Sequence, residues 1–498
     1  MDLLSYRTLG AEAPLSRRMP ERVLQFGDGN FLRGFVDDFI DQMNEKADFD
    51  SSVVIVPPAS TGKTGRINRQ DGLYQLYLRG KLNGQVVNQR RLIRCVSRAL
   101  DVFTQWQELL DFVCGDKLRF VISNTTEAGI VYDPACRFDD CPPASFPAKL
   151  TRLLWQRWYA GKPGLILLPC ELIADNGTVL RDTVLHHAAD WALEEDFLHW
   201  LREENHFCNT LVDRIVTGYP AAQASRLNAE NGYEDALLDT AEPFGLWVIE
   251  GGEALSLEFP AQKAGLPVKF VADHHPYKEQ KVRILNGGHT SMVLAAYLAG
   301  HDIVRDCMED EAVRAYLEGA LFQEIIPTLS LPREDCEAFA RAVEERFANP
   351  YIDHRLLDIA LNSVSKWRAR VLPSVTAYLE KTGRLPVRLT FSFAALCAFY
   401  TQDQRSGEPY PVRDEAAVLN FFAVHAGDTA EALVTALAAR ENFWGQDLNR
   451  LPGFTAAAAD DLQRIRRDGM AAAMEACRKE ARSEERRVGK ECRSRWSP

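Results

Sequence analysis

Three things are scarce or missing in this chain, and each removes a class of function. No stretch approaches the roughly 18 consecutive apolar residues of a membrane-spanning helix, so the chain is not expected to cross a bilayer. Positive charge is not in excess either. The 58 Lys and Arg stand against 70 Asp and Glu, a net charge of −12, which argues against the basic face that nucleic acid or an anionic membrane surface requires. Metal-ligand patterns are the third absence. The eleven cysteines, from Cys95 to Cys492, include no Cys-x2-Cys pair. Cys136 and Cys141 share an Asp-rich loop but have no matching His or Cys pair nearby. His274-His275 have no carboxylate or Cys at ligand spacing, so no metal is expected. The opening residues Met1-Asp-Leu-Leu-Ser-Tyr-Arg show no basic segment followed by an apolar one. The expectation is therefore no signal peptide, a cytoplasmic setting and reduced thiols.

What is present is a globular composition, 46% hydrophobic over 498 residues, enough for more than one buried core. The first half alternates apolar strand-like runs with helical ones. Arg22–Phe26, Val53–Val56, Leu118–Ile122 and Leu165–Leu168 read as strands separated by helices, the pattern of a parallel sheet covered on both faces. Ligands of such sheets sit beyond the carboxyl ends of the strands. Those ends here are Gly27-Asp28-Gly29-Asn30, the polar Ser123-Asn124-Thr125-Thr126-Glu127, and Pro169-Cys170-Glu171-Leu172. After about residue 276, helical periodicity dominates, in 312–326, 333–347, 354–379, 389–400 and 430–437, and the second half reads as all-helical.

Gly27-x-Gly29, between a strand and a helix, begins a dinucleotide fingerprint, with the helix N-terminus placed to receive a pyrophosphate. The third glycine is replaced by Leu32. Arg33 could pair with a phosphate or with a carboxylate of the protein. The second strand ends in Val56-Pro-Pro-Ala-Ser60, without the acid that holds a ribose 2′-hydroxyl. Lys63 and Arg66 would tolerate a 2′-phosphate, so local chemistry leaves NAD and NADP both open.

Lys281-x4-Asn286-x2-His289 carries chemistry. A desolvated lysine is a base, and an amide and an imidazole can hold a polarised oxygen beside it. On an α-helix Asn286 and His289 share a face, and His289 lies about 80° around from Lys281. Gly287 and Gly288 between them would let a ligand approach the backbone. A solvated lysine and a core histidine on an ordinary helix would give the same spacing.

Taken together, Phe26-Gly-Asp-Gly-Asn-Phe-Leu-Arg33, Asn68-Arg-Gln-Asp-Gly-Leu-Tyr74, Ser123-Asn-Thr-Thr-Glu-Ala-Gly129 and Lys281-x4-Asn286-x2-His289 resemble the mannitol dehydrogenase family of long-chain, metal-independent dehydrogenases, from about residue 20 to about 480. Within that family, Ser145–Leu154, Pro169–Ile173, Asn209–Pro220 and Asn349-Pro-Tyr351 look like its hexuronate-reducing branch. The resemblance implies a Rossmann-type α/β N-terminal domain, an all-helical C-terminal domain and an active site between them. It implies hydride transfer with a nicotinamide dinucleotide, Lys281 as general acid and base, and Asn286 and His289 on the reacting oxygen. It places the cofactor on Phe26, Gly27, Asp28, Gly29, Asn30, Phe31, Leu32 and Arg33, with Asn124, Thr125, Glu127 and Asp213 also assigned to it. The polyol members carry an Asn after Cys-Asp, where this chain has Leu172 after Cys170-Glu171, which disfavours a polyol and leaves a hexuronate or related sugar acid as the expected substrate. A carboxylate needs a cation: Lys366 and Arg370, four apart with Asn362 before them, are the first candidates and Arg283 the second.

The domains are expected at 15–275 (dinucleotide-binding) and 276–482 (substrate and catalysis). The basic segment 483–498, ending Cys492-Arg-Ser-Arg-Trp-Ser-Pro, has no helical period and reads as a non-native tail. No oligomeric state is assigned.

Overall fold

In the computed structural model, which describes residues 1–10, 19–57, 63–126, 128–402 and 404–494, the strands run in the order β1 (Glu21–Phe26), β2 (Ser52–Val56), β3 (Tyr74–Leu82), β4 (Gln85–Ile93), β5 (Val96–Ala99), β6 (Phe120–Ser123), β7 (Ile166–Pro169), β8 (His206–Phe207), β9 (Thr210–Asp213), β10 (Asp239–Ala241), β11 (Leu246–Glu250) and β12 (Val268–Val271). Contacts divide the chain into a first unit, residues 1–80 and 86–274, and a second, residues 81–85 and 275–498.

The first unit is built on a six-stranded sheet ordered β5-β2-β1-β6-β7-β8, with every neighbouring pair parallel. Both faces are buried, as continuous apolar strands require. Val23, Val53, Ile55, Phe120, Ile122, Ile166 and Leu168 point to one core with Phe35, Phe39, Trp247 and Phe259. The alternate residues Leu24, Phe26, Val54, Val56, Val121 and Leu167 point to the other, with Leu150, Leu153, Val184 and Phe197. The order reverses at β1, with β2 on one side and β6 on the other. That is the switch point where ligands of such sheets bind. The expected strands at 22–26, 53–56, 118–122 and 165–168 lie within two residues of β1, β2, β6 and β7. Two further sheets, β10-β3-β4 and the mixed β12-β11-β9, were not legible in the sequence. β4 reads Gln-Val-Val-Asn-Gln-Arg-Arg-Leu-Ile and is largely exposed, and the rest are three to nine residues long.

Among the described residues from 275 onward, the second unit is helical, with strand pairing only in the dipeptides Gln404–Arg405 and Glu408–Pro409 and an isolated bridge between Ile303 and Arg355. Its centre is helix Val387–Thr401, with thirteen buried residues and apolar side chains all round. It packs against Gly287–Leu298, Phe454–Asp468 and Met470–Ser494. The helix expected over 354–379 is instead three: Leu356–Ile359, Ser363–Arg370 and Leu372–Thr382. Asn362, in the left-handed region at φ 54°, breaks the first junction, and Pro373 sits in the first turn of the third helix. Another difference concerns the final segment. Helix Met470–Ser494 runs on into residues expected to be aperiodic. Glu, Arg and Lys are good helix formers, and an existing helix extends without a new nucleus.

Candidate active site

The candidate site of the first unit is the turn after β1. Gly27 has φ +129°, and a Cβ there would lie 2.9 Å from the Asn124 carbonyl oxygen and 2.8 Å from Leu32 Cδ1. Only glycine lets β1 and the loop after β6 come this close. The Gly27 N–H donates to the Val56 carbonyl, and the Asn124 N–H to the Phe26 carbonyl, so three strand ends are tied together here. Gly29 differs. It is the N-cap of helix Asn30–Lys46, φ is −66°, no side chain caps the helix, and a Cβ would meet nothing within 4 Å. An uncapped helix N-terminus facing open space is an anion site in waiting. Beside it lies a cavity of about 470 Å³ between the ends of β1, β2 and β6, lined by Phe26, Val56, Pro57, Thr125, Tyr132 and Lys149 among others.

The neighbouring side chains divide sharply. Leu32, standing where the fingerprint wants a third glycine, is buried against Gly27. Phe31 packs on Phe35 at 5.3 Å. Arg33 turns inward: it donates to Asn30 Oδ1 at 2.8 Å and to the Leu237 carbonyl, and lies 3.7 Å from Asp239. Of the two partners weighed for Arg33, a protein carboxylate is the one it has. Asp28 is buried in the turn. Asp213 ends β9 in the mixed sheet, and the next residue, Arg214, donates to the Gly34 carbonyl at 2.9 Å and to Asp38 at 2.8 Å. Glu127 and the 58–62 part of the β2 loop lie outside the described residues.

Sequence reasoning missed the role of Glu171. This buried carboxylate accepts from the Thr125 N–H (2.9 Å), Thr125 Oγ1 (3.0 Å) and Ser123 Oγ (3.1 Å). It clamps the loop carrying Asn124 and Thr125, and burial pushes its pKa up despite those bonds. Behind the turn, Tyr74 Oη lies 3.0 Å from the Arg33 carbonyl and 2.9 Å from Asp37 Oδ2. One hydroxyl proton cannot serve both acceptors. A protonated Asp37 that donates to Tyr74 resolves the conflict, in keeping with the burial that raises its pKa to about 7.

A separate candidate site lies in the second unit. The expected continuous α-helix is interrupted: α-helical His275–Gln280 passes into a π-helical turn, Lys281–Asn286, and returns to α-helix at Gly287–Leu298. In a π-turn the backbone hydrogen bonds run i→i+5, which shifts the angular spacing of Lys281, Asn286 and His289 from that of a continuous α-helix. Gly287 and Gly288 do not open the backbone to a ligand. A Cβ on Gly287 would lie 2.9 Å from the Arg370 carbonyl oxygen, and one on Gly288 3.2 Å from Leu321, so both make room for protein.

His289 stacks flat on Phe347, ring centroids 3.9 Å apart. Its Nε2 is buried without a hydrogen-bond partner. Burial, then the charges of His354, Arg346, Arg370 and Lys366, hold its pKa well below the ordinary histidine value. A neutral imidazole with an orphaned nitrogen and cationic side chains acting on it is a candidate for holding an oxygen of an anion. Lys366 and Arg370 are among the charges that act on it. Lys366 Nζ donates to the Ile359 carbonyl (2.8 Å), Arg370 reaches Thr290 Oγ1 (3.5 Å), and burial lowers the pKa of both. Arg283 is engaged elsewhere, by Glu279 at 2.8 Å and Ser374 at 3.1 Å.

The expectation that His274 lacks carboxylate partners is also corrected. Its Nδ1 lies 3.0 Å from Glu250 and its Nε2 3.5 Å from Asp175. The carboxylates come from the end of β11 and the cap of helix Asn176–Asp190, too far along the chain to register as ligand spacing.

Models of two protein families match the chain, the mannitol dehydrogenase Rossmann domain over residues 21–260 and the mannitol dehydrogenase C-terminal domain over 273–466. Proteins named altronate oxidoreductase, from Escherichia coli (strain K12) and Klebsiella pneumoniae (strain 342), are 48% identical over 463 residues, covering 91% of this chain and 95% of theirs. Among solved structures, a D-sorbitol dehydrogenase in substrate-free form aligns with a TM-score of 0.81 at 24% identity, over 95% of this chain and 100% of that one. The Pseudomonas fluorescens mannitol 2-dehydrogenase, in a ternary complex with NAD and D-mannitol, aligns at 0.68 and 25% identity, over 96% and 100%.

Proposed function

Because the chain belongs to the mannitol dehydrogenase family, we propose that it is an NAD-dependent oxidoreductase that interconverts D-tagaturonate and D-altronate. The observation that carries the substrate assignment is the position of Arg370 beside the His289 segment, its guanidinium 3.5 Å from Thr290 Oγ1, with the charges of Arg346 and Lys366 also acting on His289, a surrounding that suits a sugar acid. The 48% identity to altronate oxidoreductases over most of both chains supports the same reading.

The first unit fits a dinucleotide on three counts: the forced close approach at Gly27, the uncapped helix start with open space at Gly29, and the adjoining cavity. Phe26, Gly27, Gly29 and the backbone of Asn30 and Phe31 would hold the pyrophosphate, and Asn124 and Thr125 would lie under the next part of the cofactor. When bound, the nicotinamide supplies or accepts the hydride. The chain supplies the rest. Lys281 Nζ gives a proton to the ketone oxygen as it becomes an alkoxide, and removes it in the reverse direction. Asn286 Nδ2 and His289 Nε2 hold that oxygen, the neutral imidazole acting as a donor that has no other partner to leave. Lys366 and Arg370 hold the carboxylate.

The test is NADH oxidation with D-tagaturonate beside D-fructuronate and D-fructose, repeated with NADPH. Turnover confined to D-tagaturonate with NADH is the expected outcome. Faster reduction of D-fructuronate would move the assignment to the epimer, and faster reduction of D-fructose would overturn the sugar-acid reading.

A further inference from the structure

The carboxylate receptor has a member that the sequence pattern did not suggest. His354 lies in the connection between helices Arg333–Phe347 and Leu356–Ile359. Its backbone is fixed, because its carbonyl accepts from the Val304 N–H at 2.9 Å and the next residue, Arg355, bridges to Ile303. Its ring meets the His289 ring edge-on, with centroids 5.5 Å apart and planes at 90°. His289 is itself locked flat against Phe347, so the two imidazoles have a set relation. Among the described residues, no hydrogen bond to either His354 ring nitrogen is seen, and the residue is only half-buried.

A ring placed merely to pack against His289 would not need nitrogens. A phenyl group fills the same edge-on contact and leaves no polar atom to satisfy. The groups that act on His354 are Lys366 and Asp358. Burial and Lys366 outweigh Asp358, so the ring is held toward its neutral form until an anion arrives. A carboxylate bound beside His289 could take a hydrogen bond from the edge-on His354 ring.

We propose that His354 is a specificity-determining residue that binds the carboxylate of the sugar-acid substrate and so separates uronates from neutral ketoses. The proposal rests on the sugar-acid reading above. His289 governs the reacting oxygen, whereas His354, one ring away, governs which end group is accepted.

The test compares wild type with His354→Phe, which keeps the edge-on ring and removes both nitrogens, and His354→Arg, which restores a donor. Losing one hydrogen bond to a charged group costs about 1.5–3 kcal/mol, or roughly a 10- to 100-fold rise in KM for D-tagaturonate. We expect that rise in His354→Phe with kcat within about threefold, NADH affinity unchanged, and KM largely recovered in His354→Arg. An unchanged KM in His354→Phe overturns the proposal. So does a parallel loss of kcat, NADH affinity and melting temperature, which would mark a structural residue. If the wild-type enzyme reduces D-fructose but neither uronate, the fault lies in the substrate assignment itself, and that is read on wild type before any variant is made.

Discussion

Two glycines two residues apart should fail in opposite ways when each gains a methyl group. Gly27→Ala puts a Cβ 2.9 Å from a backbone carbonyl and 2.8 Å from Leu32, at φ +129°. The backbone conformation costs about 1–3 kcal/mol for a residue with a side chain. The carbonyl cannot swing away, because Asn124 is pinned to Phe26 by its N–H and Thr125 is clamped by Glu171. The total should be about 2–4 kcal/mol, or roughly 4–15 °C in the melting temperature of a unit this size. Gly29→Ala has φ −66° and no neighbour within 4 Å, so it should lose no more than about 1 kcal/mol, through the poorer N-cap. Its methyl would instead stand where the pyrophosphate must approach. Losing one or two charge-assisted hydrogen bonds there weakens NADH by about 10- to 100-fold or more. Thermal melting and NADH fluorescence titration on both variants decide it. A Gly29→Ala protein that binds NADH as wild type does would refute the placement of the dinucleotide over this turn. A Gly27→Ala protein with wild-type stability would refute the account of the close approach.

Lys281→Ala should lower kcat by about 10²- to 10⁴-fold while NADH affinity stays within about twofold; an equal loss in both would remove Lys281 from the proton-transfer role. Glu171→Ala should cost about 2–3 kcal/mol and weaken NADH at least about tenfold, because the Thr125 N–H and two hydroxyls lose their shared acceptor; unaltered NADH binding would show that the clamp does not support the cofactor loop. For pH, Asp37 is raised from 3.8 to about 7, chiefly by burial. An acid with a raised folded pKa contributes stability that is complete below its unfolded value and is lost as pH rises through the folded one. The first unit should therefore lose melting temperature steadily from about pH 5 to about pH 8, with Asp239 (about 7) and Asp41 (about 6) adding to the slope. Asp37→Asn should flatten part of that slope and stand closest to or above wild type at pH 8. A slope identical to wild type would show that Asp37 is ionised in the folded protein.

Several functional elements were visible in the linear pattern because the chemistry that makes them is local. Apolar runs of four to six residues give the buried parallel strands, and a glycine pair between a strand and a helix gives the turn. The spacing Lys281, Asn286, His289 announces a polar face on a helix, and Lys366 and Arg370 announce a basic one. The exposed, charged β4 was invisible for the converse reason, since no apolar alternation marks it. The π-turn was invisible too, because its wider pitch leaves no signature in six residues.

What the sequence by itself determined is thus the parallel-sheet first half and helical second half, the position of the glycine turn and the candidate set of reacting side chains. Tertiary structure alone decided how those side chains are used. It turned Arg33 inward to Leu237 and Asp239, spent Arg283 on Glu279 and Ser374, and filled the space over Gly287 and Gly288 with the Arg370 carbonyl and Leu321. It also set Glu171 under Thr125, two carboxylates on His274, and His354 against His289. The physical reason is the same in each case. Periodicity and turn preference depend on neighbours a few residues away. Whether a charged or polar group is free to act depends on desolvation and on partners tens to hundreds of residues distant, and only the folded chain brings them within hydrogen-bond reach.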